Sequence, residues 1–382
     1  MKVVIATDSF KGSLSTLDGG CAIAEGIKRV FNDAEITIRP LADGGEGTVE
    51  AMSLENGSLQ NTRANNPLGK VIDCNYAIRT ESNTAIIEMS AAAGITLIDK
   101  ENLNPLNTTT YGVGEIIKDA ISKGCRNFIV GIGGSATNDG GVGMLQALGF
   151  EFKDKNGNDV PRGAKGLENI HIINTANTLP ELKECTFRIA CDVKNPLCGP
   201  TGCSAVYGPQ KGATPQMISD MDNWLKKYAE KTMKINPNAD PNTPGAGAAG
   251  GIGYAFLSYL NGSLEPGIDL IMEETNLEKH IKNADIVITG EGRLDGQSYM
   301  GKAPIGVARI AKKYGKTVLA FAGCVTDDAK ICNDYGIDAF FPIIKSPCTL
   351  DDAMNSKNAY NNMADKVEQV FRLIYQLKEG GN

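Results

Sequence analysis

Short apolar runs that alternate with helical patterns at both ends of the chain constrain its fold more than any other feature. Residues 3–6 (VVIA) read as a strand, followed by the loop TDSFKGSLS and a helix to about Phe31. Residues 36–38 open a second strand that ends in PLADGGEGT ahead of another helix. Near the other terminus, residues 286–288, 318–321 and 339–343 repeat the pattern, with helices between them. Runs that are apolar throughout are buried on both faces, the pattern of a parallel, doubly wound sheet.

The texture changes between these two groups. Residues 62–84 (TRANNPLGKVIDCNYAIRTESNT) alternate polar and apolar around Pro-Leu-Gly and Glu-Ser-Asn turns, which predicts antiparallel hairpins. A strand-loop-helix follows at 128–148, and a Pro/Asn-rich turn region at 236–244 precedes a glycine-rich segment. With 382 residues the chain is longer than one hydrophobic core usually serves. The expected fold class is therefore α/β: a mostly parallel, doubly wound sheet built from both chain ends (1–60 and 284–382), with a second α/β domain (61–283) inserted between them. The helix TPQMISDMDNWLKKYAEKTMK places Met217, Met221, Trp224 and Tyr228 on one face, a stripe that reads as core.

Charge and composition exclude several function classes. Against 45 Asp+Glu stand 38 Lys+Arg, a formal charge of -7, and no basic run occurs, so nucleic acid and anionic membranes are poor partners. The opening MKVVIATDSF is neither a secretory nor a spanning segment, and a cytoplasmic location is expected. The ten cysteines form no C-x-x-C pair and read as free, mostly buried thiols. Of two histidines, His171 alternates with isoleucines and His280 lies late in a helix, and both read as structural. Carboxylates, lysines, hydroxyls and glycine loops are left to carry any chemistry. Oligomeric state is not readable from these residues.

One stretch, 296–303 (GQSYMGKA), lies one residue from the G-x-x-x-x-G-K-[ST] phosphate loop. Ala303 has no hydroxyl to place on Mg²⁺. The strand before it is expected to end at about Thr289, which leaves Glu291, Arg293 and Asp295 ahead of the glycines and makes the loop long and acidic. A P-loop is therefore rejected. Yet Glu291, Arg293, Asp295, Gln297 and Lys302 still follow a buried strand, where open α/β sheets place their ligands. Residues 245–250 (GAGAAG) spell G-x-G-x-x-G, but no strand precedes them, so a dinucleotide fingerprint is excluded and close packing or a glycine loop against a ligand fits better.

Four further loops carry chemistry. After the first strand come Asp8, Ser9 and Lys11, with Ser13 or Ser15 able to cap the next helix, a place where an anion can bind. Asp43 and Glu46 sit among glycines in PLADGGEGT and suit Mg²⁺ or a substrate hydroxyl. GIGGSATNDGG sets Ser135, Thr137 and Asp139 between strand and helix, with Gly133 and Gly134 permitting phosphate approach. In ACDVKNPLCGPTG, Asp192 follows a short apolar strand and Asn195 precedes Pro196.

The motifs TDSFKGSLS, PLADGGEGT, GIGGSATNDGG, CDVKNPLCGPTG, GAGAAGGIG and TGEGRLDGQSYMGKAP, in this order, resemble the glycerate kinases of the bacterial class I type over residues 1 to about 375, with no departure at the motif polar positions. The resemblance implies an ATP- and Mg²⁺-dependent transfer of phosphate to D-glycerate, usually giving 2-phosphoglycerate. It also implies two α/β domains with the active site in the cleft between them. Phosphoryl transfer requires charge neutralisation, a carboxylate-held metal and a group that orients the attacking hydroxyl. On that chemistry Lys11, Asp192, Asp295 and Lys302 are candidate catalytic groups, and Asp8, Ser9, Arg293 and Glu46 candidate substrate contacts. Gly133, Gly134, Ser135 and Thr137 are placed on nucleotide phosphates, and Asp43 and Asp192 on metal. The division of base and metal roles among Asp43, Asp192 and Asp295 stays open, as does 2- against 3-hydroxyl selection. A nicotinamide-dependent oxidoreductase and a non-catalytic small-ligand binder are the rival classes; the first lacks its fingerprint and the second usually carries an export signal.

Overall fold

The computed structural model describes every residue except 11, 43, 44, 46, 54–56, 301 and 380–382. The chain divides into two compact units, one of Met1–Asp43, Glu50–Met52 and Ile268–Asn382, the other of Gly44–Val49 and Ser53–Gly267.

Strands are numbered along the chain. In the first unit, β1 (Lys2–Thr7), β2 (Glu35–Ile38), β11 (Ile286–Leu294), β12 (Thr317–Val325) and β13 (Ala339–Pro342) form a five-stranded sheet in the order β13-β12-β11-β1-β2. All four pairings are parallel. Ile5, Ile288 and Phe321 are buried and pack with Ile23, Ile27, Val367 and Phe371 from the helices Thr16–Lys28 and Ser356–Glu379. Each such side chain contributes about 1.5–3 kcal/mol on leaving water. Ser15 caps the first of these helices, accepting the Asp18 N–H at 3.1 Å. Gly26 lets the two helices touch, since a Cβ there would stand 2.4 Å from the Ala364 carbonyl oxygen.

Chain order reverses between β1 and β11: β1 is followed by β2 on one side, and β11 by β12 and β13 on the other. That reversal is the topological switch point, the place where an open parallel sheet offers its carboxyl ends to a ligand. The residues after β1 and the end of β11 meet there, with the Asp8 N–H donating to the Gly290 carbonyl at 2.9 Å.

One expectation is corrected here. β11 does not end at Thr289 but continues through Glu291 and Arg293 to Leu294, paired with β12 at Arg293↔Cys324 and Leu294↔Val325. Glycine and charged residues are depleted in strands, so GEGRL does not read as one locally; the ladder offered by β12 overrides that preference.

In the second unit, β3 (Gly57–Asn65), β4 (Val71–Arg79), β5 (Thr84–Glu88), β6 (Asn127–Gly131), β9 (Thr186–Ala190) and β10 (Ser263–Glu265) form a sheet ordered β10-β9-β6-β5-β4-β3. The β3-β4-β5 part is antiparallel, as the alternation in 62–84 predicts, and the rest is parallel. A short ribbon pairs β7 (Glu151–Lys153) with β8 (Ile172–Asn174). Phe128 of β6 stacks on Phe187 of β9 at 4.7 Å between ring centres, beneath a core that also takes Leu225 and Tyr228 from the helix Pro215–Ile235. Met221 is buried there too, while Met217 and Trp224 are only half-buried. All ten cysteines are free thiols, five of them buried.

Candidate active site

At the switch point of the first unit, Asp8 is buried and its Oδ1 accepts the Ser9 N–H at 2.6 Å. Beside it, the extension of β11 turns Glu291 inward and leaves Arg293 exposed. Glu291 Oε1 accepts the Ser298 hydroxyl at 2.6 Å, and Asp295 Oδ1 accepts the Gln297 N–H at 2.9 Å. Lys302 Nζ stands 3.6 Å from both Glu291 Oε2 and Asp295 Oδ1, and Arg293 Nε lies 3.4 Å from Asp295 Oδ2. Lys302 is also the residue before the helix Ala303–Lys313, whose first turn has no side-chain cap. Burial pushes the Glu291 carboxyl above its usual range, while the Ser298 hydrogen bond and the nearby Lys302 charge pull the other way.

The structure thus gathers Asp295, Arg293 and Lys302 around Glu291, which the sequence names at the same strand end without assigning it catalysis, substrate or metal. Two ammonium or guanidinium groups and two carboxylates share one sheet end. The cations are loosely held by pairs of 3.4–3.6 Å and are part-exposed, so an incoming anion can replace those contacts at small cost. Lys11, Asp43 and Glu46 lie outside the described residues.

In the second unit the corresponding edge is formed by the loops after β6 and β9. Gly133, Gly134 and Ser135 leave β6 in a turn that Gly134 permits with φ +72°. The loop is pinned by hydrogen bonds from Ile95 N–H to the Gly134 carbonyl (2.8 Å) and from Ala136 N–H to the Ala93 carbonyl (2.9 Å). Among the described residues no acceptor pairs with the backbone N–H groups of Gly133, Gly134 or Ser135. Successive unpaired amides at a strand end form a place for anionic oxygen.

The far side of this loop is held by Asp139, which is fully buried. Its carboxylate accepts from Thr110 N–H (2.8 Å), Thr110 Oγ1 (2.9 Å), Thr109 Oγ1 (3.3 Å), Gly141 N–H (3.2 Å) and Gly143 N–H (3.3 Å). Burial raises its pKa and these donors oppose the rise. Asp139 therefore ties the starts of the helices Tyr111–Ser122 and Val142–Ala147 together. Lys211, a residue with no sequence signal, donates to Ser135 Oγ at 2.8 Å and to the Thr137 carbonyl at 2.6 Å. Thr137 is fully buried, and its Oγ1 has no hydrogen-bond partner among the described residues.

The glycine run 245–250 packs against the same loop. Ala249, Gly250 and Gly251 are consecutive left-handed residues with φ +52°, +74° and +95°, and the Gly140 N–H donates to the Gly250 carbonyl at 2.9 Å. A Cβ on Gly250 would stand 2.0 Å from the Thr137 carbonyl oxygen, so close backbone packing explains the motif. After β9, Asp192 is exposed and its Oδ1 accepts the Gly267 N–H at 2.8 Å. Asn195 is held by the Tyr207 hydroxyl at 2.6 Å and donates to the Thr201 carbonyl at 2.8 Å.

Among the described residues, no group of three or more His, Cys, Asp or Glu is arranged to hold a metal ion, and no helix is long and apolar enough to cross a membrane. Mg²⁺ in phosphate chemistry needs one or two protein carboxylates, the remaining ligands being water and phosphate oxygen, and the exposed Asp192 suits that demand. The unpaired amides of 133–135 and the buried ammonium of Lys211 suit a polyphosphate.

Comparison with known proteins agrees over nearly the whole chain. Residues 3–375 match the profile described as "Glycerate kinase family". The chain is 47% identical over 364 residues to the glycerate 2-kinase of Escherichia coli K12, covering 95% of each. To the glycerate kinase of Bacillus subtilis 168 it is 43% identical over 361 residues, covering 94% of each. A crystal structure from Salmonella typhimurium LT2, described as a glycerate kinase 2, superposes with a TM-score of 0.90 at 43% identity over 99% of both chains.

Proposed function

This chain belongs to the glycerate kinase family and is a phosphotransferase with an alcohol group as acceptor; on that premise we propose that it phosphorylates D-glycerate from ATP, giving 2-phospho-D-glycerate. The observation that carries the reading is the loop after β6, where three amides without an acceptor among the described residues and a buried ammonium favour anionic oxygen. Gly133, Gly134 and Ser135 hold the nucleotide phosphates in this reading, with Thr137 shaping the loop from within.

Lys302 and Arg293 meet the charge of the transferring phosphoryl group or of the glycerate carboxylate, and Asp295 orients the attacking hydroxyl. Glu291 acts beside them, keeping Ser298 and Lys302 in place. Asp8 and Ser9, at the end of β1, contact the substrate; Lys11 as a catalytic group and Glu46 as a substrate contact keep the roles that their motifs imply. Asp192 would be a ligand of Mg²⁺, and its motif gives Asp43 the same role; when bound, the ion would supply charge neutralisation on the phosphate oxygens. A cytoplasmic location goes with such a substrate.

Three assays test this. Purified protein with Mg²⁺ consumes ATP only when D-glycerate is present; equal consumption without glycerate, or none with it, sinks the reading. EDTA abolishes the activity and Mg²⁺ or Mn²⁺ restores it. Coupled to enolase without a mutase, the product gives signal at once, whereas signal only after phosphoglycerate mutase is added identifies 3-phosphoglycerate and overturns the regiochemistry.

A further inference from the structure

Lys211 is 2% exposed and sits in the turn Pro209–Lys211, yet it forms no ion pair among the described residues. A buried ammonium without a counter-charge is expensive, several kcal/mol by the usual scale, unless hydrogen bonds and a partner offset it. Its two hydrogen bonds go to neutral acceptors, Ser135 Oγ and the Thr137 carbonyl. The titratable groups facing it are Asp139, whose oxygens are already taken by Thr109, Thr110, Gly141 and Gly143, and the Cys203 thiol, pushed up to about 11 by burial and so neutral. Desolvation pushes the Lys211 ammonium down to about 8.

An ammonium can only donate. Ser135 Oγ therefore accepts from Lys211, and its own O–H must donate elsewhere; among the described residues it has no acceptor. Ser135 is 8% exposed and adjoins the unpaired amides of Gly133 and Gly134. Hydroxyl, amides and a buried ammonium that forms no ion pair among the described residues thus converge on one loop, and each is completed by the same thing, an anionic oxygen.

We propose that Lys211 is a positioning residue for the phosphate-accepting loop: its ammonium fixes the Ser135 hydroxyl as an acceptor on the inside, so that the hydroxyl proton is presented to an oxygen of bound ATP. The inference rests on the assignment of this loop to nucleotide. If Lys211 loses its proton, the amine becomes an acceptor, the Ser135 hydroxyl can turn to donate inward, and the bound oxygen loses both a donor and a nearby charge. A phosphate bound beside the ammonium favours its charged form, so binding raises the Lys211 pKa and takes up protons when the pH is near the free-state value.

The test is calorimetric titration of the intact protein with ATP, without glycerate, at pH 7 to 9.5 in buffers of differing ionisation enthalpy. Uptake of a fraction of a proton near pH 8, with affinity falling about tenfold from pH 7 to 9.5, is expected, on the scale of one charge-assisted hydrogen bond. Lys211→Met abolishes the uptake and the pH dependence; Lys211→Arg, which does not titrate in this range, keeps affinity and removes only the pH dependence. Ser135→Ala weakens binding and leaves little further loss when combined with Lys211→Met. Should Lys211→Met fail to fold, the Arg and Ala variants carry the test. Proton uptake with glycerate instead of ATP assigns the loop to the substrate carboxylate and overturns the nucleotide assignment. ATP binding with no uptake, or identical uptake in Lys211→Arg, overturns the inference while leaving glycerate phosphorylation, measured separately, untouched.

Discussion

The loop that ends β11 and the loop that follows β6 both stand at the carboxyl edge of a parallel strand, and they handle charge in opposite ways. Around Glu291 the cations are part-exposed, held at 3.4–3.6 Å from carboxylates, and paired within the one segment 291–302. Around Ser135 the charged groups are buried, and each is fixed by shorter hydrogen bonds from distant parts of the chain. The first arrangement suits groups that must exchange partners during a reaction. The second suits a rigid cradle whose geometry is set before any ligand arrives.

The sharpest test of that contrast sets stability against rate. Asp139→Ala removes the acceptor of three backbone amides and two threonine hydroxyls in a fully buried place, and should cost about 3 kcal/mol or more in urea unfolding. A loss below about 1 kcal/mol would show that the cradle is not built around it. Lys302→Ala should do the reverse, lowering kcat by roughly 10²-fold or more while leaving the unfolding midpoint nearly unchanged. Asp295→Asn should lower activity comparably while keeping the parent's circular dichroism. Full kcat/KM in well-folded variants would remove both residues from the reaction.

A smaller effect separates the two loops by pH. Glu291 has a raised pKa, so the folded protein binds that proton more tightly than the unfolded chain does, and its ionisation at neutral pH weighs against folding. Glu291→Gln should therefore be as stable as the parent or more so at pH 7, with the gap closing as the pH falls towards 4. Denaturant midpoints measured from pH 4 to 8 check this, and a gap that widens on acidification contradicts it. Smallest of all is Ala303→Ser. The helix start at Ala303 is buried, and no vacancy for a metal-binding hydroxyl is expected, so kcat/KM should not rise; a marked gain would restore the P-loop reading.

The sheets were legible because their strands are apolar runs whose spacing and flanking helices admit few arrangements, and because the hairpin alternation of 62–84 survives into β3 and β4. The place of Gly133, Gly134 and Ser135 between a strand and a helix was legible as well, and they do form the turn that leaves β6. Glu291 was visible only as one acidic residue past a strand; its burial follows from the extension of β11, which depends on pairing with β12 and on no local signal. Lys211 left no trace at all. A lysine between Gln210 and Gly212 reads as a solvated turn, and only the approach of the loop after β6, more than seventy positions earlier, takes its ammonium out of water.

The left-handed run at Ala249–Gly251 has a consequence for how this chain comes into being. The carbonyl of Gly250 holds Gly140 across more than a hundred residues of sequence, so the loop after β6 cannot take its final shape until the ribosome has delivered that later segment. Contacts of such separation are slow to form because a long loop must close first. A nascent chain halted before residue 245 would carry β5 and β6 with the loop after β6 unset. The same coupling makes one amide a reporter: the Gly140 N–H should be among the last in the second unit to gain protection from hydrogen exchange during refolding.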